Sequence, residues 1–388
     1  MTLFEKALKE IAEADLQELV ALAVPEGKSI EYKLALPKAD PADKKEFLAD
    51  VTSIANASGG LLLFGIREDK GIAVEITGLT VSDADQEMLR LSNMLQSGVE
   101  PRIPALEMRS VQLANGNSVI AIRTPRSWLG PHMIKESGRF FARSSNGKHP
   151  LDVAEIRNSF LETERLTSRL KEFRAERLSA ILADEIPVSL GKASRIVLHA
   201  IPLSGLTERS EIDLHRIARN EKPVLYPMDP WSNCGTYFVF EGVVCCQRNQ
   251  DGTSPSYTLV ARNGACEIVA DNLCWTDEKG FMALMPSYEK RLVDYWPVVR
   301  RTLETANIEP PIMLALSLLN IRNHMFTFNA GQFHMSLHPI RQQHLVLPEC
   351  MLESWNDDIG DCLRPAFNMV ANAQGIESSP HFGRVARQ

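Results

Sequence analysis

Residues 3 to 24 carry hydrophobic positions at helical spacing, with Leu16, Leu19, Val20 and Ala23 on one stripe and Pro25 ending the run. The pattern then changes period. Over residues 29 to 36, Ile30, Tyr32, Leu34 and Leu36 alternate with Glu31, Lys33 and Ala35, which predicts a half-buried strand. Asp40 followed by Pro41 is an N-cap and first-turn pair for a helix across 43–58, whose Phe47, Leu48, Val51, Ile54 and Ala55 share a face; Gly59 and Gly60 read as its C-terminal stop. The run GLLLFGI, 60–66, predicts a strand buried on both faces, followed by a polar loop REDKG and a strand IAVEITGL.

Further on, a helix across 82–97 precedes a hairpin that turns at ANGN, 114–117, between MRSVQL and SVIAIRT. RFFARSS, 139–145, predicts a short strand, and DVAEIRNSF opens a helix that runs to about residue 183. From Pro187 the pattern becomes β-rich, closing with a helix near 286–306, an apolar strand near 311–319 and a helix around 361–374. The fold class expected is α+β. Residues 1–160 form an N-terminal mixed sheet with packed helices, 161–186 a charged helical connector, and 187–388 a β-rich α+β domain. Three roles stay open for that last domain: a sensor, a second lobe of a binding cleft, or a dimerisation surface.

Composition narrows the class. With 44% hydrophobic and 23% charged residues in 388, neither a disordered nor a fibrous chain is indicated. The longest apolar runs, LLLF and IMLALSLL, fall far short of the ~20 residues that span a bilayer. The first residues show no signal-peptide core, so a cytoplasmic protein with no membrane partner is expected. Seven cysteines, all in the second half and without a CxxC pair, read as reduced thiols. A formal charge of -7 excludes a protein that coats nucleic acid indiscriminately, so charge has to be sought locally.

Several catalytic signatures are missing. GKAS at 191–194 lacks the glycine a phosphate loop needs five residues earlier, where Ile186 stands, and GxGxxG, HExxH and GxSxG do not occur. The carboxylates of the first half offer more. Glu31 and Lys33 share the polar face of one strand, where a surface ion pair is the simplest reading. Glu26 lies five residues before Glu31, with Gly27 allowing the chain to bend between them, while Glu68 and Asp69 leave the end of GLLLFGI. If the two strands are neighbours, three carboxylates converge, and hard oxygen ligands of that kind suit Mg²⁺ or Mn²⁺, with Lys33 beside them for a phosphate oxygen.

The ordered set EGKSIEYK, SIANASGG, LLLFGIRED and PRSWLGPHMIKESGRFFARSSNGKHP resembles the AlbA_2 domain of Schlafen proteins, over roughly residues 20–160. That resemblance implies a three-carboxylate, metal-dependent endoribonuclease that cuts structured RNA such as tRNA. Its first two glutamates match Glu26 and Glu31, and its basic residue matches Lys33. Its third acid falls on Glu68, with Asp69 as the alternative, and Arg67 replaces the preceding aspartate of the usual motif. Asn56 matches an asparagine read as a structural hydrogen-bonding residue at the helix end. The same context implies a role in stress response or phage defence, and a second lobe supplied by a homodimer.

The basic residues fit an RNA partner independently. Between 121 and 150 stand Arg123, Arg126, Lys135, Arg139, Arg143 and Lys148 against one acid, Glu136, a local balance of 6 - 1 = +5. Trp128, Phe140 and Phe141 are interleaved and could stack on bases, one of the two phenylalanines being core, and His132 reads as structural. The alternative to a nuclease is a non-catalytic DNA- or RNA-binding module, such as a transcriptional regulator.

Overall fold

The computed structural model describes residue 6 and residues 8–144, 147–207, 212–219, 224–228, 234–276, 282–285, 287–326 and 338–382. The chain is α+β and divides into two compact units, Met1–Thr167 and Ser168–Gln388. The division falls inside one long helix, Val153–Leu182. Among the described residues no helix is long and apolar enough to cross a membrane.

The first unit is built around a four-stranded sheet. Its strands are β1 (Ile30–Lys33), β2 (Gly59–Phe64), β6 (Glu107–Gln112) and β7 (Ser118–Pro125), in the order β1-β2-β7-β6. β1 and β2 run parallel, joined over the top by helix α2 (Pro41–Ala55), while β2, β7 and β6 are antiparallel. Alternation along β2 explains the packing. Leu61 and Leu63 face helix α1 (Glu13–Ala21) with Leu16, Leu19, Ile30 and Tyr32, whereas Leu62 and Phe64 face α2 with Phe47, Leu48, Val51 and Ile54. Helix α3 (Ala84–Gly98) adds Leu91 and Leu95 to that second core. A second sheet, in the order β10 (Gly147–Pro150), β9 (Arg139–Ser144), β8 (Met133–Ile134), β5 (Val99–Glu100), packs on the other side of α2.

Four local expectations change. The first helix is shorter than its apolar stripe, a 3-10 turn at Leu8–Glu10 and then α1, and residues 3–5 and 7 lie outside those described. Strand β1 stops at Lys33, and the alternation fails beyond it: Leu34 is exposed while Leu36 packs in the α2 core. The stretch REDKG is not a loop, because Arg67, Glu68 and Asp69 belong to β3 (Ile66–Asp69), which pairs with β4 (Ile72–Ile76) through Lys70 and Gly71 at φ 52° and 76°. Two positive-φ residues are what a tight hairpin turn requires.

The fourth change concerns Gly59 and Gly60, which do not cap α2. That helix ends at Ala55 with Asn56 as its cap, and both glycines already lie in β2. They are needed because neighbouring backbone comes too close for a side chain: a Cβ on Gly60 would sit 2.2 Å from the Ser29 carbonyl oxygen.

The second unit centres on a sheet whose antiparallel body is β12 (Gly235–Phe238), β13 (Gly242–Cys246), β14 (Ser256–Ala261), β15 (Cys266–Ala270) and β11 (Arg195–Pro202), followed by Ile312–Leu319. One face packs against helices Tyr288–Thr305 and Ile359–Asn372. The other receives the C-terminal half of the long helix through a buried polar network. Arg177 donates to both oxygens of Glu267 at 2.8 Å, and Tyr257 and His199 meet the same carboxylate at 2.8 and 3.1 Å. Arg174 donates to the Leu316 and Leu347 carbonyls at 2.8 Å.

Candidate nucleic-acid interface

The site begins with the face of β1 that carries Glu31 and Lys33. Ile30 and Tyr32 point to the α1 core, so the two charged residues point toward α2 at the edge of the sheet. They do not form the solvated pair their alternation suggests. Glu31 is only 6% exposed, and each of its oxygens is taken by a cation: Lys33 Nζ lies 2.7 Å from Oε1, and Arg143 Nη2 donates to Oε2. Burial pushes the Glu31 carboxyl up, but Lys33 and Arg143 outweigh it and hold it below the usual range. Arg143 also donates from Nε to the Gly27 carbonyl at 3.1 Å, and its Nη1 finds no acceptor among the described residues.

Arg143 of β9 and Lys148 of β10 are directly opposite in the antiparallel register. Like charges so placed repel unless each has its own counterion. Glu31 serves Arg143, and Asp50 serves Lys148 at 2.7 Å. Asp50 lies on α2, 2% exposed, and its second oxygen is 3.5 Å from Lys33 Nζ, so it bridges the two lysines. Burial pushes Asp50 upward, and Lys148 and Lys33 offset this only in part. For Lys33 burial acts downward, and Asp50 and Glu31 together overcome it, leaving the amine above its ordinary value. Lys148 meets a third acid, Glu46, at 2.6 Å, on the more exposed side.

The other expected acids lie nearby but are engaged differently. Glu26 is half-buried and accepts the Tyr32 N–H at 2.8 Å. Its pKa is raised, first by burial and then by the neighbouring charges of Glu31 and Glu68, against the pull of the Tyr32 N–H and Lys33. Glu68 is exposed and accepts the N–H of Gly71, whose carbonyl in turn takes the Glu26 N–H at 2.6 Å. The β3–β4 turn therefore ties Glu68 to the Glu26 segment. Asp69 is exposed at the end of β3.

A divalent ion does not fit this arrangement as it stands. Both oxygens of Glu31 are occupied by cations, and among the described residues no three His, Cys, Asp or Glu side chains are grouped to hold a metal ion.

Lys135 and Arg139 are exposed around the β8–β9 hairpin, and Arg126 is exposed beyond the end of β7, where Arg123 is half-buried. Of the aromatics, Phe141 packs in the α2 core, Phe140 meets the Phe160 ring edge-on at 6.4 Å, and Trp128 is half-buried. Asn56 staples the segment between β7 and β9. Its side-chain amide donates to the carbonyls of His132 and Phe141 at 2.9 Å and accepts the His132 N–H at 2.7 Å. His132 is fully buried, bonded through Nδ1 to the Pro101 carbonyl, and burial pulls its pKa down.

Sequence reasoning missed Asp50 and Glu46. A signal existed, since Asp50 stands among Phe47, Val51 and Ile54 on a helix face that is otherwise apolar, and an acid there needs a buried partner.

Residues 26–152 match the family described as Schlafen, AlbA_2. Among solved structures, the DIP2311 protein of Corynebacterium diphtheriae is 20% identical with a TM-score of 0.27, over 38% of this chain and 27% of that one. The match thus spans about a quarter of that relative's length. The N-terminal domain of a putative ATP-dependent DNA helicase RecG-related protein from Nitrosomonas europaea is 30% identical with a TM-score of 0.22, over 29% of this chain and 70% of that one. No curated protein matches the chain.

Proposed function

Since residues 26–152 are a Schlafen AlbA_2 domain, we propose that this unit binds nucleic acid and that its substrate is structured RNA of the tRNA type, which it cleaves. The observation that carries the reading is the meeting of three cations, Lys33, Arg143 and Lys148, around two buried carboxylates at a sheet edge. Arg143 is buried beneath the group, while Lys33 and Lys148 keep part of their side chains exposed and are suited to backbone phosphates, and a lysine aimed at a phosphate can stabilise the charge that develops when its ester breaks. Glu26 adds a group that can take a proton, because burial and like charge raise its pKa. In RNA the 2′-oxygen can attack the adjacent phosphorus while Glu26 accepts the hydroxyl proton. The P–O5′ bond then breaks to leave a 2′,3′-cyclic phosphate, the departing 5′-oxygen takes a proton from water, and Lys33, which keeps part of its side chain exposed, faces the phosphorane charge.

A divalent ion belongs to the same proposal only if Glu31 gives up Lys33 or Arg143, since neither of its oxygens is free. The second reading, a binding module without cleavage, is favoured by that same pairing and by Glu68 serving the Gly71 turn.

The test incubates the full chain with total tRNA in Mg²⁺, in Mn²⁺ and in EDTA, beside a Glu26→Gln variant, whose amide oxygen can still accept the Tyr32 N–H. Discrete fragments that disappear in Glu26→Gln support cleavage, and the EDTA lane decides the part of the ion. Salt-sensitive binding with intact tRNA in every lane leaves the binding module. Failure to bind tRNA at low salt overturns both.

A further inference from the structure

Asp50 takes no part in the chemistry assigned above, yet it lies at the buried centre of the cation group. One carboxylate reaches Lys148 of β10 at 2.7 Å and Lys33 of β1 at 3.5 Å, joining two strands of different sheets through α2. The acid is almost wholly buried, whereas the lysines keep their side chains 32% and 18% exposed. What Asp50 fixes is therefore presented to solvent. We infer that Asp50 is a positioning residue that holds Lys33 and Lys148 as one clamp for neighbouring backbone phosphates of a nucleic acid. The inference rests on the nucleic-acid reading of this unit.

Two physical arguments support it. A buried ion pair is a poor device for stability, since apolar residues of similar volume commonly do as well. Ordering two flexible lysines before the ligand arrives, in contrast, removes that ordering from the cost of binding. Two acids then share Lys148 with different parts to play. Asp50 lies beneath it, buried, and Glu46 lies beside it with its side chain 61% exposed. Glu46 competes with a phosphate for the amine; Asp50 aims the amine at it.

Coulomb's law alone gives both acids the same sign, because deleting either removes a negative charge near an incoming polyanion. Positioning gives them opposite signs. Binding of the full chain to labelled tRNA, measured by fluorescence anisotropy in EDTA over a series of KCl concentrations, separates the two. Glu46→Gln is expected to bind about threefold more tightly, and Asp50→Asn about tenfold more weakly. Lys148 is released first, because Lys33 keeps Glu31 at 2.7 Å, and the loss of one to two phosphate contacts lowers the slope of log K against log salt by about 0.7–1.4 on single-stranded segments and 0.9–1.8 on duplex.

Tighter binding by both variants, or an Asp50→Asn slope equal to that of the wild type, overturns the inference. If Asp50→Asn does not fold, Lys33→Gln, Lys148→Gln and their double variant decide: one clamp predicts that the second loss adds little to the first, and strict additivity refutes it. A wild-type chain that fails to bind at all refutes the nucleic-acid reading instead, a result distinct from any of these.

Discussion

Replacing Glu31 by alanine is the obvious way to ask whether the first unit is catalytic, and the geometry makes it a stability experiment first. Among the described residues Glu31 is the only carboxylate paired with Arg143, whose side chain is 2% exposed and which also donates to the Gly27 carbonyl. Removing one partner of a buried ion pair costs about 3–5 kcal/mol, because the remaining charge stays buried. Lys33 keeps Asp50, so the lower end, about 3 kcal/mol, is expected here. That is a large share of the roughly 5–15 kcal/mol that holds a domain together. For a unit of this size it lowers the melting temperature by roughly 6–12 °C. Hydrogen exchange of the β2 and β7 core amides at increasing urea reports the global opening of this unit within the full chain. An opening free energy within about 0.5 kcal/mol of wild type, the range of ordinary surface substitutions, would refute the buried-pair argument. The consequence for function is direct: lost activity in Glu31→Ala does not separate chemistry from folding, whereas Glu26→Gln does.

Other outcomes follow from the same reasoning. For Glu267, burial acts upward but Arg177 and His199 outweigh it and hold the carboxyl at about 2, against 4.5 unfolded. Its stabilisation is full above pH 4.5 and is lost as pH falls toward 2, at most about 3 kcal/mol. Urea unfolding at pH 6 and pH 2.5 checks this, and an equal pH dependence in Glu267→Gln would contradict it. Glu289, on helix Tyr288–Thr305, is pushed the other way, to about 7, by burial that the Ser379 hydroxyl and His381 N–H offset only partly. A raised pKa means stability is greatest below 4.5 and falls as pH rises through 7, so Glu289→Gln should raise the melting temperature at pH 8 and change little at pH 4; equal effects at both would refute it. Gly60→Ala forces a Cβ to 2.2 Å from the Ser29 carbonyl and should separate β1 from β2, read as lost protection of the Leu61 amide that Ser29 accepts.

The elements with strong periodicity were legible in the chain. The α2 stripe, the GLLLF strand and the ANGN hairpin appear where the pattern puts them, since each is governed by local propensity and one buried face. The site was legible in part. Alternation placed Glu31 and Lys33 on one face of β1 but could not say that this face lies under α2, because nothing local reveals which helix covers a sheet edge. Partners far along the chain were therefore invisible: Arg143 reaches Glu31 across 112 residues and Lys148 reaches Asp50 across 98. The glycine pair after α2 misled for a related reason, since a helix stop and a close backbone approach look alike in sequence, and only the Ser29 carbonyl decides between them.

Lysine acylation footprinting of the full chain, with and without tRNA at low salt, tests the central claim most directly. If Lys33 and Lys148 meet the phosphates, tRNA slows the labelling of both relative to Lys9 on the 3-10 turn, and added KCl restores it. If Lys33 and Lys148 label as fast in the tRNA complex as in the free chain, the phosphate-binding site lies elsewhere and the account is wrong.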